Sequence, residues 1–112
     1  MSEYRIDYEL GADLLWVKVN DRDIKKSLNL GDLTVDFGRE GDIAGIELLN
    51  ASKNLVFESD KTPESILEDI SDAEIQARYT ENGFFMVLRL YSEPIREECA
   101  AMMTETGPLV KA

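Results

Sequence analysis

The chain has 112 residues, 44% of them hydrophobic and 31% charged, which suits one packed domain and neither a disordered chain nor a membrane bundle. Its 23 acidic residues against 12 basic ones give a net charge of −11, which sets it against nucleic-acid backbones and anionic membrane surfaces. Histidine is absent, so imidazole bases, Ser-His and Cys-His nucleophile pairs and histidine zinc sites are excluded; with no apolar run of signal or membrane length after Met1, the expected location is cytoplasmic.

Residues 4–8 alternate in period 2 and residues 13–19 are rich in strand formers, with Gly11 between them to turn the chain. A hairpin closed over residues 9–12 pairs Ile6 with Leu15 and Tyr4 with Val17. Apolar then meets apolar on one face, and Leu14, Trp16 and Arg5 stand on the other. After a polar turn at residues 20–23, residues 24–30 alternate again, with Ile24, Leu28 and Leu30 on one side. Gly31 and Asp32 break the pattern before residues 33–37 resume it. In the hairpin from Asp36 to Ile43, Gly38 and Gly41 supply positions where positive φ is cheap. A loop over residues 38–41 pairs Val35 with Ala44 and Leu33 with Ile46. Gly45 falls opposite Thr34, where a missing side chain signals a bulge or a close approach.

Residues 50–57 lose the alternation: Asn50 or Ser52 fits the cap of a short helical turn, and Leu55, Val56 and Phe57 are expected to tuck under the sheet. Thr62 followed by Pro63 opens a helix over residues 63–70, with Ile66, Leu67 and Ile70 on one stripe. Residues 72–80 and 84–91 form a hairpin around Asn82-Gly83, setting Tyr79 against Met86, Ala77 against Leu88 and Ile75 against Leu90. Both faces of residues 84–91 are apolar, which predicts a strand covered on two sides or a homodimer contact. Beyond Pro94, residues 95–103 fit an edge strand, with a helix as the alternative, and residues 104–112 a loose tail. Cys99, the one cysteine, reads as a small core residue. The expectation is a single α+β domain over residues 1–112, an antiparallel β-sheet meander of hairpins with one short helix packed on a face. The meander covers residues 4–53, and the helix and second hairpin form an extension over residues 54–103.

Two segments carry a resemblance. Tyr8-Glu-Leu-Gly-Ala-Asp13, running into an apolar strand, is similar to the opening signature of a prokaryotic family, domain of unknown function 2283. The stretch from Val35 through Gly45-Ile-Glu47 to Asn50-Ala-Ser52 resembles its closing signature, with Gly38 where the family usually has an acidic residue. The resemblance covers about residues 4–53 and implies no established activity. It implies that some members sit beside small toxin-like proteins, which makes this domain a candidate neutralising partner.

Three sets of residues invite a function. Asp36, Glu40 and Asp42 offer the oxygen ligands that calcium or magnesium favours, although their spacing departs from the twelve-residue calcium loop and turn chemistry alone accounts for them. Glu64, Glu68, Asp69 and Asp72 lie in an acidic belt, where residues 58–81 carry eight acidic side chains against two basic ones. Crowded, exposed like charges suit a basic partner better than the buried, facing pair that a carboxylate hydrolase needs. Trp16 with Arg5 has the composition of an interface hot spot, unless the helix or the second hairpin covers that face. No phosphate-cradling glycine loop or nucleophile elbow is present, and no cofactor is expected. The expected function is a small, non-enzymatic protein-interaction module, homodimeric, with an acidic surface for a basic protein partner. The alternatives are a carboxylate-based metal-dependent enzyme or small-ligand binder, and a purely structural homo-oligomer.

Overall fold

Period-2 alternation dominates the architecture, which a computed structural model describes over residues 3–57, 61–80, 83–92 and 97–106. Among these residues, β1 (Tyr4–Glu9), β2 (Leu14–Val19), β3 (Lys26–Leu30), β4 (Leu33–Phe37) and β5 (Ile43–Leu49) form one sheet in the order β1-β2-β5-β4-β3. The helical turn α1 (Ala51–Asn54) leads to a second sheet of β6 (Val56–Phe57), β7 (Ile70–Thr80), β8 (Gly83–Ser92) and β9 (Glu97–Thr106), ordered β6-β9-β8-β7, with α2 (Pro63–Glu68) between β6 and β7. Every pairing is antiparallel.

Each sheet turns one face to a shared core. Leu15, Val17, Val35, Ile46 and Leu48 from the first sheet join Met86, Leu88, Leu90 and Ala100 from the second, along with Ile66 and Leu67 of α2, in one buried cluster. Burying each of the larger side chains contributes about 1.5–3 kcal/mol, which is what holds a six-residue helix that would not persist alone. Thr62 caps that helix by accepting a hydrogen bond from the Ser65 N–H at 3.3 Å, with Pro63 at its first position as expected.

The hairpins stand, with several revisions. Strand order is not sequential, because β5 inserts between β2 and β4 and takes the centre of the first sheet. All three predicted registers are displaced by two residues. Ile6 pairs with Val17 and Tyr8 with Leu15; Val35 pairs with Ile46; Ala77 pairs with Met86 and Ile75 with Leu88. A slip of two returns each side chain to its own face, so the apolar pattern is blind to it. The first turn is set by a 3-10 turn at Leu10–Ala12 that closes on Asp13 in the left-handed region, φ 51°. In the second hairpin Gly41 is left-handed at φ 84° but Gly38 is not, and a β-bulge at Ala44 shifts the register between Asp36 and Phe37. The Asn82 side of the third turn lies outside the described residues.

The short helical turn read at residues 50–57 stands as α1 with Asn50 at its N-cap, without a side-chain cap hydrogen bond, and α2 ends at Glu68, leaving Ile70 to open β7. Leu55 is buried as predicted, but Val56 is exposed because it and Phe57 form β6 against Ala101 and Ala100. Ile24 and Leu28 are also exposed, since β3 begins only at Lys26 and is an edge strand. Residues 97–106 are strand, so the helical alternative falls, but β9 lies between β6 and β8 and is not the edge strand expected; residues 104–106, expected in the tail, belong to it, and residues 107–112 lie outside the described residues.

Candidate functional site

Two arrangements of polar side chains stand out on the first sheet. The first ties the β1–β2 turn to α1. Asp13, turned left-handed, accepts from the Tyr8 hydroxyl at 2.7 Å, from the Ser52 hydroxyl at 2.7 Å and from the Ser52 N–H at 3.1 Å. Its carbonyl accepts from the Ala51 N–H at 3.1 Å. Burial works against the charge on Asp13, but the Ser52 and Tyr8 hydrogen bonds and the nearby Lys53 outweigh it and hold the carboxyl below the ordinary carboxylate range. Burial, then the bond to Asp13, pushes the Tyr8 phenol well above its usual value. A phenol held protonated and a serine donating to a carboxylate make an anchor that ties the β1–β2 turn to α1.

The second arrangement is a groove of about 280 Å³ on the face of the first sheet turned away from the core. It exists because Gly45 of β5 has no side chain: a Cβ there would lie 2.9 Å from the Val17 carbonyl oxygen. Trp16 forms one wall, 36% exposed, with its indole N–H donating to Glu47 Oε1 at 3.1 Å, while Ile24 closes the other side from the connection before β3. Arg5 and Lys18 stand on the rim, Arg5 paired with Asp7 at 3.4 Å. On the floor, directly across from Gly45, is Asp36, 5% exposed, its Oδ1 accepting from the Ser27 hydroxyl at 2.6 Å.

A family model described as Protein of unknown function (DUF2283) matches residues 5–52. Over 87 residues the chain is 36% identical to an uncharacterized protein of Methanocaldococcus jannaschii, covering 78% of this chain and 72% of that relative. The chain belongs to the DUF2283 family. No solved structure matches it. The DUF2283 segment contains the whole groove and the whole anchor, whereas β6 to β9 and α2 lie beyond it.

Within the DUF2283 segment the structure brings Arg5 and Trp16 together as predicted, on a face that leaves Trp16 partly exposed. It separates the three turn acids. Asp36 faces the groove, while Asp42 is paired with Arg22 and lines a different cleft with Glu40 and Arg39. Among the described residues no set of three metal-ligating side chains is gathered closely enough to hold an ion. Glu64, Glu68 and Asp69 are exposed on or beside α2, and the charges of Glu64 and Glu68 reach Tyr8. Asp72 sits in β7, where its charge reaches Tyr4, whose hydroxyl accepts from the Ile75 N–H at 3.3 Å. Tyr4 and Tyr8 project from β1 on the face opposite Trp16, so the acidic belt and the tryptophan do not form one site.

The residues missed from sequence are Asp13, Ser52 and Glu47. Each had a signal. Ala-Asp13 and Asn50-Ala-Ser52 are the two polar ends of the family resemblance, and Glu47 alternates outward beside the flagged Gly45.

Proposed function

We propose that the protein is a non-enzymatic association module that receives a basic protein partner on the outer face of its first sheet. The observation that carries this reading is Trp16: the single tryptophan of the chain is partly exposed and fixed by Glu47 beside an open groove. A rigid aromatic with a carboxylate at its edge supplies contact area at little entropic cost and a charge for a cation. The net charge of −11 draws such a partner toward the surface.

Because an acidic chain attracts any polycation, dependence on Trp16 is the discriminating result. A short polycationic peptide is expected to bind with salt-sensitive affinity, and Trp16→Ala to weaken it roughly tenfold at moderate salt, the loss typical of an aromatic anchor. Calorimetry showing equal binding by the two proteins, or none by either, would remove the proposal.

A second reading, homodimerisation, is favoured by the outer face of the second sheet. Val56 and Met103 are each 67% exposed there, on the same face as Val87 and Ala101. Met103→Glu is expected to shift a concentration-dependent dimer to monomer in sedimentation velocity, since a charge placed in an apolar contact is desolvated without a partner. A wild-type protein that sediments as a monomer at every loading concentration would exclude it.

A further inference from the structure

We propose that the groove over Gly45 is a receptor for one arginine side chain of the basic partner, its guanidinium between Asp36 and Glu47 and its aliphatic stem against Trp16 and Ile24. This rests on the reading that the protein associates with a basic partner, and adds which group of that partner is recognised.

Asp36 supplies the argument. A carboxylate that is 5% exposed pays heavily in lost hydration unless donors replace the water, and it has about four lone-pair sites to fill. Ser27 fills one, at Oδ1. The other oxygen, Oδ2, lies 3.8 Å from the place a Gly45 Cβ would occupy, on the groove side, and among the described residues no lysine or arginine comes within ion-pair distance of it. Glu47 likewise engages Trp16 through Oε1 and lines the groove beside it.

Shape and charge narrow the occupant. A volume of about 280 Å³ lies just below the range for small-molecule sites and accommodates one long side chain. Arg5 is engaged by Asp7, so of the charged groups lining the groove Lys18 is the one cation set against Asp36 and Glu47, and the balance is negative. Between the two basic side chains the geometry favours arginine. A planar guanidinium stacks on an indole and spans two carboxylates with separate N–H groups, whereas an ammonium is a strongly hydrated point charge that gains less from an aromatic wall.

The test compares hexa-arginine with hexa-lysine at fixed ionic strength, read by calorimetry and by the emission of Trp16. Hexa-arginine is expected to bind roughly tenfold more tightly and to change Trp16 emission. Asp36→Asn and Glu47→Gln are each expected to weaken hexa-arginine about five- to tenfold, while Glu64→Gln with Glu68→Gln changes it less than twofold. Glu47 is on the surface, so its variant keeps the test sound if Asp36→Asn fails to fold. Tight binding that ignores both groove variants, or equal binding of the two peptides, would overturn the arginine receptor and leave the association reading standing. Failure of both peptides to bind in a Trp16-dependent way would remove both readings.

Discussion

Asp13→Ala is expected to destabilise the protein by about 3–4 kcal/mol, lowering the melting temperature by roughly 10–20 °C, because several favourable terms vanish together. A hydrogen bond to a charged group contributes about 1.5–3 kcal/mol, and Asp13 accepts from the Tyr8 hydroxyl, the Ser52 hydroxyl and the Ser52 N–H. The donors share one carboxylate, so their contributions do not simply add. Alanine must also adopt φ 51°, which costs about 1 kcal/mol more than for aspartate or asparagine. Asp13→Asn keeps the backbone preference and part of the bonding, and is expected to lose about half as much. Against a total of about 5–15 kcal/mol these are large fractions.

The same carboxylate predicts a pH dependence with a definite sign. Its folded pKa is lowered, so the unfolded chain takes up the proton first as acid is added. The stabilisation is full above the unfolded value, about 3.9, and is lost as pH falls through that value and then through the folded one. The stability gap between wild type and Asp13→Asn, measured by urea denaturation, is therefore expected to shrink below about pH 4. Parallel curves down to acid pH would show that the charge on Asp13 does not contribute. The Tyr8 phenol is shifted upward and works at the other end: its contribution is complete below about pH 10 and fades as alkali ionises the unfolded chain first.

Alternation made the strands and their buried faces legible, since Leu15, Val17, Val35, Ile46, Met86, Leu88 and Leu90 all point where period 2 sends them. It failed at register and strand order, and for one reason. Both depend on backbone conformations that residue hydrophobicity does not encode: the left-handed Asp13, the bulge at Ala44, and the crossing that lets β5 pair with β2. The site followed the same division. Trp16 and Arg5 were visible because they are large or charged residues on the outward side of strands. Asp36 was visible as an acid but assigned to the wrong neighbours, because its place across from Gly45 follows from the displaced register. Asp13 and Ser52, 39 residues apart, meet only through the fold, and no local spacing announces them.

Gly45→Ala is the other substitution with a large expected effect, about 2–3 kcal/mol of destabilisation, at the upper end for adding one methyl group to a packed position. The new Cβ would stand 2.9 Å from the Val17 carbonyl oxygen and 3.3 Å from the Lys18 Cα. Both are backbone atoms of β2, so no side-chain rotation relieves the contact, and relief requires β2 and β5 to move apart where Val17 stands opposite Ile46 and Lys18 opposite Gly45. That pair is central: β1 hangs on one side of it and β4 with β3 on the other, so strain there is passed to the core residues Val17 and Ile46. Gly11→Ala is the control, because a Cβ there meets nothing within 4 Å, and its stability is expected to stay within about 0.5 kcal/mol of wild type. Thermal melts that rank the two alanines equally would mean that β2 and β5 do not approach as closely as the groove requires. If Gly45→Ala alone is destabilised, the glycine that opens the groove is also the one that lets the first sheet close around its central strand, and the cleft facing Trp16 is a direct consequence of how the sheet is assembled.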